Sequence, residues 1–298
     1  MPTGHATFIS LLDRPTAELY AAGKIDEAIA GATKHLAEVR LTKGDDASGA
    51  TRLAGALEAL AELHREQGHF EKSESMYLEA IELIEKLDTT REQRGRLESG
   101  LGSLYDFNQR EEAAVPHYEK AIECFEALDE PRDLESAQLR NNLAMIYKSL
   151  GRHPLAEQHY LMALEKMEKL FGEDNERVAA VYNNLGSLYY TAGFPDQAKE
   201  MHTEALKIRR QILGAEHPEV AQSYCNLATA CYALEDNAGT QENYDKGLTI
   251  YEKHLPATAG SYEAVAADYV AVLESIGEDK KAQIVAKRSK KVLKSAGL

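Results

Sequence analysis

Apolar residues recur along most of the chain at the spacing of one helix face, i, i+3, i+4 and i+7, with charged residues between them. This pattern predicts amphipathic helices throughout. The chain has 20 Gly and 8 Pro among 298 residues, fewer turn-forming residues than a protein with many strand reversals would use. The sequence therefore predicts an all-α fold.

The helical pattern is itself repeated. Segments 142–147, 184–189 and 226–231 have the same character at each position. Each is followed by a turn and a second helical segment, and a repeat of this kind decides the fold class. Successive turns are 45, 41 and then four times 42 residues apart, at Gly23, Gly68, Gln109, Gly151, Gly193, Glu235 and Gly277. The sequence thus predicts seven hairpins, each of a helix A and a helix B.

Small residues mark where helix A meets helix B. One follows the repeated Leu of helix A, at Ala61, Gly102, Ala144, Gly186 and Ala228. A large ring occupies one fixed position of helix B, at Tyr77, Tyr118, Tyr160 and Tyr244. Because two helices approach closely only where one side chain is small, we expect the rings to fill the space beside the small residues.

Prolines support these helix starts. Pro154 and Pro195 open B helices, and Pro15 and Pro218 open A helices, where the missing N–H has no helical partner to lose. Pro116 falls inside a predicted B helix, so we expect a late start or a kink there.

The pattern Leu-small-x-x-Tyr, then Gly, then Ala, an aromatic residue and Ala, identifies tetratricopeptide repeats. Their ordinary period is about 34 residues, whereas the period of this chain is 42 residues. The sequence resembles kinesin light chains in this longer period, in the link 213–221 and in the doublets Asn141–Asn142 and Asn183–Asn184. The resemblance covers about residues 50–255. It implies a right-handed superhelical solenoid of about seven repeats, a single array over 1–298 with degenerate capping repeats at about 14–45 and 262–298.

Kinesin light chains carry an N-terminal coiled coil that binds the motor heavy chain, and this sequence has no sustained heptad pattern. The resemblance therefore does not extend to the heavy chain as a partner. A bare array is most similar to the small kinesin-light-chain-like proteins of bacteria, some of which resemble companions of tubulin-type filaments. By analogy, a tubulin-like filament is the implied partner.

In such an array the A helices line a concave groove. The residues around the repeated Leu are predicted to project into it, and a carboxamide can both donate to and accept from the backbone of an extended peptide. The predicted groove residues are Asn141, Asn142, Met145, Lys148, Asn183, Asn184, Ser187, Tyr190, Asn226 and Thr229. Alternatively, the asparagines cap or brace neighbouring A helices, since Asn mid-helix needs some stabilising contact. The two roles are compatible.

The formal charge is −15, but it is unevenly distributed. Residues 278–298 carry a net +5 and the remainder −20. This end is predicted to be a basic amphipathic helix with Ile284, Val285, Val292 and Leu293 on one face. It is either helix B of the last repeat, or a surface for an anionic membrane, an acidic partner or the chain's own groove. Its predicted contact residues are Lys287, Arg288, Lys290, Lys291 and Lys294.

Other functions are not favoured. An acidic chain without Trp is poorly suited to binding the phosphate backbone of a nucleic acid. Cys124, Cys225 and Cys231 form no disulfide pattern, and no signal peptide or membrane span is visible, so we expect a cytoplasmic protein. Two histidine pairs, His64/His69 and His153/His159, have the wrong spacing for metal ligands on one helix face. We expect no metal, no cofactor and no enzymatic activity.

The sequence therefore predicts a non-enzymatic scaffold or adaptor that binds a peptide or filament partner. By resemblance, it links a tubulin-like filament to a membrane or cargo. The alternative is a regulatory peptide receptor that modulates another protein's activity.

Overall fold

The computed structural model describes residues 9–42, 44, 46–85, 87 and 90–297. Within these residues the regular structure consists of fourteen α-helices and no strand, which confirms the all-α class. The chain divides into two compact units, residues 1–152 and 153–298.

In the first unit each helix packs on the next one along the chain, so that A and B helices alternate. Its helices are α1 (Arg14–Ala21), α2 (Ile25–Thr42), α3 (Ala47–Glu66), α4 (Phe70–Ile84), α5 (Arg91–Phe107), α6 (Glu111–Glu126) and α7 (Asp133–Ser149).

The second unit follows the same rule. Its helices are α8 (His153–Phe171), α9 (Glu176–Thr191), α10 (Pro195–Leu213), α11 (Pro218–Ala233), α12 (Asn237–Lys253), α13 (Ala259–Ser275) and α14 (Asp279–Ser295). Near its end Tyr244 and Tyr269 stack with ring centroids 4.8 Å apart.

Every predicted turn position has a left-handed backbone. Residues 23, 68, 109, 151, 193, 235 and 277 have φ between 57° and 83°. The next residue closes the helix end, as where the amide of Arg110 donates to the Tyr105 carbonyl at 2.8 Å. Gln109 and Glu235 adopt this conformation although they are not glycine, so the repeat imposes the turn even where the side chain disfavours it.

The predicted contact between small residues and rings is also confirmed. Tyr77, Tyr118 and Tyr160 are fully buried. A Cβ on Gly102 would lie 3.0 Å from the Tyr118 ring, a contact so tight that a larger residue would require the ring to move by a few tenths of an ångström.

One of the two alternatives expected at Pro116, a late start of the helix, was wrong. Helix α6 begins at Glu111 and continues through Pro116 to Glu126, so there is no late start. Pro116 lies in the second turn, where it has no N–H to donate to the carbonyl of residue 112. The other prolines open helices as predicted, with Pro195 and Pro218 at the first residues of α10 and α11.

Candidate functional site

The predicted groove residues all lie on A helices. In the first unit α7 carries Asn141, Asn142, Met145 and Lys148. In the second unit α9 carries Asn183, Asn184, Ser187 and Tyr190, and α11 carries Asn226 and Thr229.

In the second unit, hydrogen-bonded side chains connect successive A helices. Asn226 on α11 donates its Nδ2 to Asn183 Oδ1 on α9 at 2.6 Å. Gln222 Nε2 donates to Asn226 Oδ1 at 2.9 Å, and the Tyr251 hydroxyl on α12 donates to Gln222 Oε1 at 3.1 Å. This amide chain (Asn183, Asn226, Gln222 and Tyr251) braces three helices with neutral groups.

The amide chain is still accessible. Asn183 and Asn226 are half-buried, and Tyr190 on α9 is exposed. The chain uses the Asn183 oxygen as an acceptor, which leaves the Nδ2 of the same side chain as a donor at the surface. Bracing and partner contact therefore do not compete for the same atoms at Asn183.

The ring of helix B supports this surface from behind. The Tyr244 hydroxyl has Thr229 of α11 as a hydrogen-bond partner, and Thr229 Oγ1 also lies 3.0 Å from the Cys225 carbonyl. Burial raises the pKa of Tyr244, so it stays neutral and able to donate.

In the first unit the Tyr118 hydroxyl plays the same part. Its hydrogen-bond partners are the side chains of Ser103 on α5 and Asn142 on α7. Asn142 is nevertheless exposed, as are Met145 beside it and, in part, Lys148, whose pKa is lowered by burial. The Asn141 amide nitrogen lies 3.9 Å from Met145 Sδ.

Sequence reasoning missed His202, which occupies the helix B position that holds Tyr160 and Tyr244 in the neighbouring repeats. Its side chain is 4% exposed, its ring packs where Gly186 leaves room, and its Nδ1 has no hydrogen-bond partner. Burial, with a further contribution from the Arg209 charge, lowers the pKa of His202 to about 4. The 42-residue register alone would have found this position.

The basic C-terminal segment forms α14, the B helix of the last hairpin. Val285 is buried and Val292 and Leu293 pack against the core, whereas Ile284 is 64% exposed. The predicted apolar face was therefore wrong in including Ile284, which at one residue from Val285 points about 100° away from it.

Two cations fix α14 to α12. Lys281 Nζ donates to Asp245 Oδ2 at 2.9 Å, and Arg288 Nη2 donates to Glu252 Oε2 at 2.7 Å. The two ion pairs are seven residues apart along α14 and seven residues apart along α12, which corresponds to two helical turns. Arg288 thus has a partner within the unit.

The outer face of α14 carries a basic stripe, defined as Lys280, Ile284, Lys287, Lys291 and Lys294. Steps of four and three residues place these side chains on one line along the helix. All are exposed, and the four lysines form no ion pair with any described residue. Lys290, also exposed, lies beside the stripe.

In the part of the chain that the structure describes, no group of three or more His, Cys, Asp or Glu side chains is arranged to hold a metal ion. His64 and His69 do meet, with Nδ1 atoms 3.2 Å apart, because a turn rather than one helix joins them. The mismatch expected from the spacing applies only to two histidines on one helix. Likewise, no helix within the described ranges is long and apolar enough to span a membrane.

Comparison with known proteins gives a consistent picture. The tetratricopeptide repeat family model matches residues 52–127, 135–211 and 178–253. No curated protein sequence matches the chain. Among solved structures, BtubC (BKLC) from P. vanneervenii is 33% identical, with 76% of this chain and 90% of that chain covered and a TM-score of 0.63.

Two more distant structures share the fold alone. A putative kinesin light chain from P. anserina with nearly identical repeats is 20% identical over 70% of this chain and 98% of that chain, with a TM-score of 0.59. The apo form of RapI is 13% identical over 97% of this chain and 98% of that chain, with a TM-score of 0.63.

The repeat register, the buried rings and these matches agree. The chain belongs to the tetratricopeptide repeat family, and within it to the proteins of the bacterial kinesin light chain type.

Proposed function

We propose that this protein is a non-catalytic cytoplasmic adaptor that binds a tubulin-like filament through the A-helix residues and links it to a membrane or cargo. Tetratricopeptide repeats serve protein–protein interaction in general. The proposal that the partner is a tubulin-like filament rests on one observation. This is the 33% identity to BtubC over 90% of that protein, whose name associates it with bacterial tubulin.

The asparagine side chains suit the filament role. Asn183 offers a surface donor that the amide chain leaves over, and Asn142, Met145 and Tyr190 are exposed on the same type of helix. A partner segment can exchange backbone hydrogen bonds with such carboxamides, which gives affinity, while the exposed Met and Tyr side chains add apolar contact.

The basic stripe suits the second attachment. Its four lysines carry charge on one line of α14, and Ile284 places an apolar group among them. An anionic membrane surface attracts such lysines with about 1 kcal/mol each, and an exposed Ile adds hydrophobic contact. The four stripe lysines are the contact residues proposed, with Lys290 beside them, whereas Arg288 contributes less because Glu252 already pairs with it.

Co-sedimentation with tubulin-type polymers and with anionic liposomes tests both attachments. Deleting residues 287–298 would also remove Val292 and Leu293 from the core, so charge removal is the cleaner variant. We expect the stripe variant K280Q/K287Q/K291Q/K294Q to lose liposome binding and retain polymer binding.

The matched control K34Q/K72Q/K169Q/K207Q removes the same charge from exposed positions on other helices. It is expected to pellet with liposomes like the unmodified protein. If the unmodified protein pellets with neither polymer nor liposome, the adaptor proposal fails and the regulatory peptide receptor becomes the better hypothesis. Equal loss in both variants would show a general charge effect rather than a role of the stripe.

A further inference from the structure

Helix α4 of the first unit carries a second exposed stripe, which the adaptor proposal does not use. This acidic stripe is defined as Glu71, Ser75, Leu78 and Glu82, and its steps of four, three and four residues place the side chains on one line. All four residues are exposed, Leu78 by 46%. Neither Glu71 nor Glu82 forms an ion pair with any residue that the structure describes. The stripe thus presents an apolar group between two exposed carboxylates.

The basic stripe of α14 has the same arrangement with the opposite charge. Glu71 and Lys280 each lie three residues after the turn glycine of their hairpin, so both stripes follow the same line of helix B. Ile284, which is 64% exposed, lies between lysines as Leu78 lies between glutamates. Single exposed apolar side chains are common, but these two are flanked by charges of opposite sign and at equal spacing.

The two stripes match when the helices are antiparallel. With Leu78 opposite Ile284, the steps of four and three residues coincide in that direction and are out of step by one residue in the parallel direction. The antiparallel register then gives three further opposed pairs: Glu82 with Lys280, Ser75 with Lys287, and Glu71 with Lys291. Steps that average 3.5 residues keep two helices in contact over several turns, here about 16 Å. Two pairs of opposite charge therefore flank one apolar contact.

The match is particular to α4 among the B helices that the structure describes. The position of Leu78 is polar in four of the other B helices: Thr33 in α2, Glu119 in α6, Thr203 in α10 and Asp245 in α12. In α8 it is Leu161, but Pro154 then stands in place of Glu71. Only α4 thus offers an apolar side chain between two glutamates at this spacing.

The occupant of the acidic stripe follows from these observations. Both stripes are exposed within a single chain, so a contact between them joins two copies. The formal charge of −15 makes distant parts of two copies repel, so the local match of opposite charges decides which surfaces meet and in which register. Because α4 and α14 are different surfaces, the contact is heterologous and either closes as a pair or extends as a chain of copies.

We propose that the acidic stripe on α4 binds the basic stripe on α14 of a second copy of this chain, with the helices antiparallel and Leu78 against Ile284. The contact requires neither filament nor membrane. An anionic membrane would use the same lysines, so one basic stripe holds either a second copy or a membrane at a time. Surface ion pairs around one apolar contact form a small interface, and we expect a Kd on the order of 100 µM.

Sedimentation velocity over a range of protein concentrations, without polymer or liposome, tests the contact. We expect the mean mass of the unmodified chain to rise with concentration, and added salt to weaken the association. The charge reversals E71K/E82K on α4 and K280E/K291E on α14 should each weaken it about tenfold or more. In a mixture of these two variants, an unmodified acidic stripe meets an unmodified basic stripe. We therefore expect the mixture to associate where neither variant does so alone.

The variant E263K/E274K on α13 is the matched control, because it reverses two exposed glutamates that are eleven residues apart, as Glu71 and Glu82 are. We expect it to associate normally, and thermal melting followed by circular dichroism checks that every variant is folded. A mass independent of concentration, equal weakening by the control, or no association in the mixture would each overturn the proposal. Liposome binding by E71K/E82K, whose basic stripe is intact, reports separately on the adaptor proposal.

Discussion

Successive A helices are joined by different chemistry in the two units. In the first, Arg96 of α5 binds Glu58 of α3, a carboxylate that is 5% exposed. In the second, Asn226 of α11 binds Asn183 of α9, and both side chains are half-buried and neutral. One repeat register thus accommodates a buried ion pair or an accessible amide pair. Only the amide pair can add partner contacts without exposing an unpaired charge.

The ring position of helix B also differs between one repeat of the first unit and one repeat of the second. Tyr118 of the first unit has two hydrogen-bond partners for its hydroxyl, whereas His202 of the second is buried with Nδ1 unpartnered. Burial raises the pKa of the tyrosine and lowers that of the histidine, so both are neutral near pH 7. The difference therefore does not change the charge of the ring position at neutral pH. It is expected to affect the stability of the fold on acidification.

Removing Arg96 should produce the largest change. Arg96→Leu leaves Glu58 buried without its partner, and we expect the free energy of unfolding at pH 7 to fall by about 3 to 5 kcal/mol in urea titrations. Burial already raises the pKa of Glu58, and losing Arg96 raises it further. The deficit should accordingly shrink as the pH falls and Glu58 binds a proton. Arg40→Leu breaks the more exposed Arg40–Glu79 pair and should cost less than about 1 kcal/mol. Equal losses would mean that burial does not distinguish the pairs.

Acidification should separate the two ring positions. The pKa of His202 is about 4 in the folded state, below its unfolded value of 6.5, so the unfolded chain binds the proton first. Stability contributed by the neutral ring is present above pH 6.5 and declines by about 3 kcal/mol as the pH falls to 4. His202→Tyr restores the residue of the neighbouring repeats and should remove that part of the decline. Melting curves between pH 7.5 and 4.5 compare the two proteins, and identical pH profiles would refute the assignment to His202.

The amide pair should give the smallest effect. Asn183→Ala and Asn226→Ala are each expected to lower the free energy of unfolding by about 1 kcal/mol, because each removes one side of a 2.6 Å hydrogen bond. The double variant should lose less than the sum of the single losses, since both remove the same bond. Strict additivity in urea titrations would mean that the pair does not brace α9 and α11.

The parts of the fold that depend on the repeat period could be predicted from sequence. Turn positions, including the non-glycine residues Gln109 and Glu235, follow from the spacing because the register imposes the backbone. The contact of Gly102 with Tyr118 follows because a small and a large residue recur together.

Features that break the period could not be predicted in this way. The His202 position was overlooked because the pattern was defined by its tyrosines. Ile284 was placed on the apolar face by residue type, although its angular position on α14 exposes it. Pairing between A helices, such as Gln93 with Thr51 or Asn226 with Asn183, depends on three-dimensional distances that the spacing along one helix does not contain.

We expect A-helix asparagines to contact a protein partner in addition to bracing helices, and the variant Asn184→Ala distinguishes the two roles. Affinity for tubulin-type polymers by co-sedimentation and the melting temperature should be measured on the same preparation. We predict binding weaker by about 1 to 2 kcal/mol, roughly five- to thirtyfold, with a melting temperature no lower than that of Asn183→Ala. Unchanged affinity together with a lowered melting temperature would contradict the claim and assign Asn184 to bracing alone.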